Sequence, residues 1–238
     1  MTAAAPQTTG PAGAGHGAID AAPELTFAVT GVEPERHAAV PTLRFTLETA
    51  RSGGGPVRAV ALTVAVRIEV TRRAHDPVAC RALTELFGQP EEWGRTMRPL
   101  LWTQTTVQVP PFDERTSVPL LVPCAADAEL AVTKYLRAAG DGEVPLGFLF
   151  NGTVFYHTPG PAPVAGALRT AHIPWSAEAS CPLPAGLWPR LMERYHGADP
   201  WLRLRRETCD RLDAYRAHHA LGSTDDAVRA LLDRSGAP

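Results

Sequence analysis

From Val57 to Val70 the chain reads as one long strand: Val60, Leu62, Val64, Val66 and Ile68 fall on one face, and Ala59, Ala61, Thr63, Ala65, Arg67 and Glu69 on the other. Period-two alternation of β-branched residues marks a strand with one buried face. A strand of this length has to pair laterally and bury its apolar face against a second layer. A sheet-built domain is therefore required before any other segment is considered.

Further segments agree. Leu25–Val29 alternates in the same way, and Pro41 opens a second strand with Leu43, Phe45 and Leu47 on one face and Thr42, Arg44, Thr46 and Glu48 on a wet face, an antiparallel pattern. Ser52–Pro56 is a glycine-rich turn. Leu100–Val109, Ser117–Val122, Val144–Tyr156 and a stretch around Leu168–Trp175 complete the expected strands. Asp76-Pro77 is a helix-start signal, followed by Cys80, Leu83, Leu86 and Phe87 at helical spacing up to Gly88. Pro90 opens a short helix over Glu91–Met97. Residues 127–139 fit helix or strand; helix is preferred, because a strand would put Lys134 on the apolar face.

The last third reads as helical. One helix is expected from Pro184 to Tyr195, bent near Pro189. A second spans Arg203–His219 with Leu204, Thr208, Leu212 and Tyr215 in a stripe. Ser223 caps a third, which buries Val228, Leu231 and Leu232. The expected fold is α+β: a mainly antiparallel β-sandwich with helical insertions and a helical C-terminal third. The expected organisation is a flexible tail over residues 1–22, a sandwich-like domain over 23–180, and a helical segment over 181–238 packed on it. Trp93, Trp102, Trp175 and Trp188 are expected in the packing between elements.

Composition narrows the function classes. At 238 residues and 45% apolar, the chain can build a core without disulfide or metal. A net charge of −2 argues against nucleic acid or an anionic membrane as the main partner. No apolar run approaches the ~18 residues of a membrane span. Residues 1–22 lack a basic start and a continuous apolar stretch, so they do not read as a secretory signal. Cys80, Cys124, Cys181 and Cys209 contain no C-x-x-C pair and read as reduced thiols of a cytoplasmic protein. Every basic residue except Lys134 is arginine, and no glycine loop precedes Lys134, so a P-loop is excluded.

Catalytic motifs are sparse. Gly13–Ala18 matches G-x-G-x-x-A, but it lies in the tail with no strand before it. Neither G-x-S-x-G nor H-E-x-x-H occurs. A composite metal site from His157, His172 and the cysteines is weighed against random scatter, and scatter is the cheaper account. No metal site, cofactor or catalytic residue is assigned. Cys209 follows Arg205 and Arg206 closely and is the candidate reactive thiol. The candidate partner surface is Trp201, Arg203, Arg205, Arg206 and Arg211. Arginine and tryptophan are the usual hot-spot types. Against this, Glu207 and Asp210 lie four residues after Arg203 and Arg206 and would absorb part of the charge, with Trp201 docked in the core.

Three stretches carry a resemblance: Trp93-Gly94 through Leu100–Thr103, Glu143–Leu146 through Phe150–Phe155, and Trp201–Thr208. Over roughly residues 24–233 the chain resembles an uncharacterised family of actinobacterial proteins, a domain of unknown function. The resemblance implies a gene neighbourhood with nickel–iron hydrogenase and its maturation, and through it a hydrogenase subunit or maturation factor as partner. It supplies no activity, cofactor or catalytic residue. The leading expectation is a non-catalytic cytoplasmic accessory or protein-binding module. The alternatives are a hydrolase or metal-dependent enzyme with a dispersed site, and a chaperone-like protein that holds clients in an apolar groove. Because residues 1–22 have no periodic apolar face, deleting them is expected to leave Tm within a few degrees of the full chain, measured by thermal denaturation.

Overall fold

The computed structural model describes residues 22–124, 127, 130–158, 166–197 and 203–236. They form an α+β protein, mostly antiparallel strands with six α-helices. The chain divides into two compact units, one ending at Ala198 and the other beginning at Asp199. Trp201 of the candidate partner surface and residues 1–21 of the expected tail lie outside the described residues.

In the first unit the long alternation becomes β3 (Val57–Ile68). It pairs antiparallel with β4 (Leu100–Val109) on one side and β6 (Glu143–His157) on the other. β7 (Leu168–Ile173) and β8 (Glu178–Pro184) both lie along the far side of β6. They are two halves of one edge: the two residues Phe150 and Asn151 separate the two ladders on β6, while Pro174–Ala177 form a turn in which the Ala177 amide donates to the Pro174 carbonyl at 3.0 Å. The second sheet is β1 (Glu24–Pro34), β2 (Thr42–Ser52) and β5 (Arg115–Pro123), in that order and antiparallel.

The inner faces of the two sheets share one core. Val60, Leu62, Val64, Val66 and Ile68 of β3 are all fully buried, as are Leu43, Phe45 and Leu47 of β2. Phe27 of β1 stacks on Phe150 of β6 at 4.6 Å between ring centres, and Phe45 meets Phe148 edge-on at 5.2 Å. Aromatic pairs of these geometries add to the area they bury. Gly152 of β6 lies opposite Leu62, where a Cβ would run into the Ala61 backbone, so only glycine lets the two central strands close.

The helices follow their local signals. α1 (Pro77–Phe87) starts at Asp76, whose carboxylate accepts from the Val78 and Ala79 amides at 2.8 Å, and ends at Gly88 with φ +78°. α2 (Trp93–Thr96) follows a 3₁₀ turn at Pro90–Glu92. α3 (Ala131–Ala138) makes helix of the second part of the ambiguous stretch, with Tyr135 and Leu136 buried. α4 (Leu187–His196) places Pro189 in its first turn, where no amide donor is needed; no bend of the expected kind is required there. The second unit holds α5 (Arg206–His218) and α6 (Thr224–Ser235), the latter capped by Ser223 accepting from the Asp226 amide at 3.0 Å.

Four expectations need correction. Cys181–Pro184 is not the start of a helical segment but the end of β8, and helix begins only at Leu187. Trp175 is not packed: it is 88% exposed, because the turn that breaks β7 from β8 carries it out of the ladder. Leu204 precedes α5, and no residue of α5 is buried. In α6 the buried residue is Ala227, while Leu231 and Leu232 are exposed. Phe148→Ala removes the ring that Phe45 packs against and is expected to cost about 3–5 kcal/mol, read as a shift in the urea unfolding midpoint.

Candidate functional site

The arginine segment belongs to the second unit. Arg203, Arg205, Arg206 and Arg211 are all exposed. Arg205 is the N-cap of α5, and its side chain makes no capping hydrogen bond. Three arginines thus crowd the end of a helix where the macrodipole favours acidic groups and disfavours cations. Among the described residues, no carboxylate lies within ion-pairing distance of Arg205, Arg206 or Arg211. The expected Arg206–Asp210 pair is therefore not formed; the ion pair on this helix joins Arg216 to Asp213 at 3.5 Å. An i,i+4 contact needs both side chains held against the helix, and a fully solvated arginine gains little by surrendering its rotamers.

Cys209 lies half-buried on α5, one turn beyond Arg205. Cys124 is buried, and burial pushes its thiol up to about 12, the condition of an inert core sulfur. Burial also raises the Cys181 thiol, with Glu143 adding to the effect. Cys80 is half-buried and its thiol points to the His75 carbonyl at 3.7 Å. His157 and His172 do not meet: their strand positions are four residues apart on β6, and the His157 ring is bonded to the Gly166 carbonyl at 2.8 Å. Among the described residues, no group of three His, Cys, Asp or Glu side chains is placed to hold a metal ion.

Titratable groups do converge in the first unit, at a place the sequence reading did not single out. Tyr135 of α3 is fully buried, and its hydroxyl lies 3.1 Å from His75 Nε2. The His75 ring stands edge-on to both Tyr135 and Trp93. Arg73 reaches across to donate to the Ala139 and Asp141 carbonyls just past α3. Burial lowers the His75 pKa, the Arg73 charge lowers it further, and Asp76 opposes them. Burial raises the Tyr135 pKa against the pull of Arg73. The triad ties the start of α1 to the end of α3, and 60 residues separate its two rings, so no local pattern in the sequence announces it.

A cavity of about 410 Å³ opens between β4, α3 and α4, lined by Leu101, Trp102, Leu130, Val132 and Trp188. A smaller polar one of about 170 Å³ holds the buried Glu69, paired with Arg67 at 2.9 Å. A Cβ at Gly147 would come within 2.6 Å of the Glu69 carboxylate, so that glycine makes room for the ion pair. No described helix is long and apolar enough to cross a membrane.

Comparison with known proteins places the chain in a family: it belongs to the family of unknown function DUF6084, which matches residues 22–238. No curated protein matches it. Among solved structures it is similar to the CARDB domain of the PF1109 protein of Pyrococcus furiosus, determined in complex with di-metal ions. That similarity covers 68% of this chain and 92% of the other, at 13% identity and a TM-score of 0.26, too low to support an argument about fold or ligand.

The His75 pKa gives a signed test. Because the folded protein holds the imidazole neutral below its ordinary 6.5, the unfolded chain takes up the proton first, and stability falls as pH drops through that value. His75→Gln is expected to flatten the dependence of the urea midpoint on pH between about pH 7.5 and pH 5, relative to the unsubstituted chain.

Proposed function

We infer that the protein is a non-catalytic cytoplasmic accessory module that binds an acidic surface of a partner protein through the start of α5. The observation that carries this reading is the placement of Arg205 and Arg206 at a helix N-terminus with no side-chain cap, exposed and, among the described residues, without a carboxylate partner. Cations at this position destabilise the helix, typically by 0.3–1 kcal/mol each at an exposed site, roughly. An acidic partner would offset that penalty by adding to the negative charge that Glu207 brings to the first turn, and arginine offers it a bidentate hydrogen-bonding fork. Arg203 and Arg211 extend the positive surface on either side. The first unit serves in this reading as a β-sandwich scaffold, supported by the two aromatic pairs between its sheets, one stacked and one edge-on. The family resemblance, with its actinobacterial distribution and hydrogenase gene neighbourhood, makes hydrogenase subunits and maturation factors the first partners to test.

Charge reversal separates folding from binding, because the two effects have opposite signs. Arg205→Glu with Arg206→Glu places acid at the helix start and is expected to keep or raise the stability of α5, by up to about 1 kcal/mol per site. The same variant is expected to lose the partner. The measurement is affinity capture from native lysate at two salt concentrations, with bound proteins identified by mass spectrometry and helicity followed by circular dichroism. A partner retained equally by both proteins would overturn the arginine interface.

A further inference from the structure

The edge strands of the first unit carry a charge or a proline at every strand but one. β1 carries Glu24, Glu33 and Pro34 and an irregularity between Val29 and Val32. β5 carries Arg115, Pro119 and Pro123. β7 is six residues long and includes Arg169, and β8 has Glu178, Pro182 and Pro184. Charges, prolines, short length and bulges are the devices by which exposed edges avoid pairing with another chain. β4 has ten residues with neither a charge nor a proline. Its only irregularity is at Trp102; Thr103–Val109 run in unbroken register against Val66–Val60. Among the described residues, the hydrogen bonds to the β4 backbone come from β3 alone, so its outer row of amides and carbonyls is unpaired. Pro110-Pro111 then ends the strand.

The side chains say which partner fits. Thr103-Gln104-Thr105-Thr106-Val107-Gln108-Val109 is close to a palindrome about Thr106. Pairing with an identical antiparallel strand about that residue sets Gln104 against Gln108, Thr105 against Val107 and Thr103 against Val109. Glutamine thus meets glutamine, whose amides can donate to and accept from each other. Every other pair joins β-branched residues of nearly equal shape, with cross-strand Cβ separations of about 4.5–5.5 Å. A charged edge would oppose like charges across a twofold axis; this one has none to oppose. Gln104, Thr106 and Gln108 are exposed and share the outer face of the sheet, so the pairing requires no core side chain to move.

We propose that β4 is the interface of a twofold-symmetric homodimer, formed by antiparallel addition of β4 to β4 of a second copy about Thr106, joining the two five-stranded sheets into one. The interface is isologous, as twofold symmetry demands. It is independent of the arginine surface, which lies in the second unit.

Sedimentation equilibrium on the full chain over about 1–100 µM tests it. The unsubstituted protein is expected to give twice the 25.5 kDa chain mass. Gln104→Lys with Gln108→Lys sets positive charge against positive charge at both symmetric pairs and is expected to weaken dimerisation at least about tenfold. Gln104→Lys with Gln108→Glu sets opposite charges together at the same positions and is expected to remain a dimer. Thr106→Lys, which faces its own symmetry mate, gives a second disrupting variant if the doubly positive chain fails to fold by circular dichroism. A monomer throughout the concentration range, a dimer indifferent to all three variants, or loss of the dimer in the oppositely charged pair would each overturn the proposal.

Discussion

The pairing of β3 with β6 carries the first unit. β6 has fifteen residues and pairs with β3 along one side and with β7 and β8 along the other, so the five-stranded sheet cannot assemble without it. Its inward residues Phe148 and Phe150 are also the ones that reach the second sheet, through Phe45 and Phe27. Full burial of such a ring is worth roughly 1.5–3 kcal/mol, and here the burial requires both sheets to be present. Gly152 sets the closeness of that central pair, and Gly147 opens the space that takes in the Glu69 carboxylate. One strand therefore determines the lateral order of a sheet, the stacking of two layers and the accommodation of a buried charge.

Charge is distributed unevenly around this frame. The buried ionic groups are paired: Glu69 lies against Arg67, and the half-buried Lys134 of α3 joins Glu85 of α1. The arginines at the start of α5 are arranged in the opposite way, exposed and set against the helix dipole. Local stability gives no reason for that placement, which is why it supports an interaction surface better than a solvated face would. The β4 edge is distinctive for the converse reason, since it lacks the charges that every other edge strand uses. Each surface departs from what an isolated folded chain would favour, and each does so with a different chemistry.

Much of the secondary structure is legible in the residues, because its causes are local. The alternation of Val60–Ile68 predicts β3, Asp76-Pro77 predicts α1 and its cap, and Ser223 with Asp225 and Asp226 predicts the start of α6. β8 escapes the same reading because Pro182 and Pro184 resemble loop punctuation; an edge position tolerates them, since a proline there need not donate outward. Trp175 looks like core by residue type, yet its burial depends on a turn that only the pairing of β7 and β8 with β6 defines. Of the candidate surface, the arginines and their exposure were readable from spacing and composition, whereas the missing Arg206–Asp210 pair was not, because spacing allows an ion pair without requiring one.

By itself the sequence determined most of the strands and helices, β8 excepted, the faces that the long strands bury, and the crowding of arginines ahead of α5. These follow from period, capping chemistry and charge within a few neighbouring residues. Only the tertiary structure decided that His75, Tyr135 and Arg73 meet, that Trp175 faces solvent, and that the uncharged, proline-free β4 lies at a sheet edge. Each of these depends on which distant segments pair or pack. Closing long loops to bring such segments together is governed by the summed burial of the whole core, a quantity that no local window of residues contains.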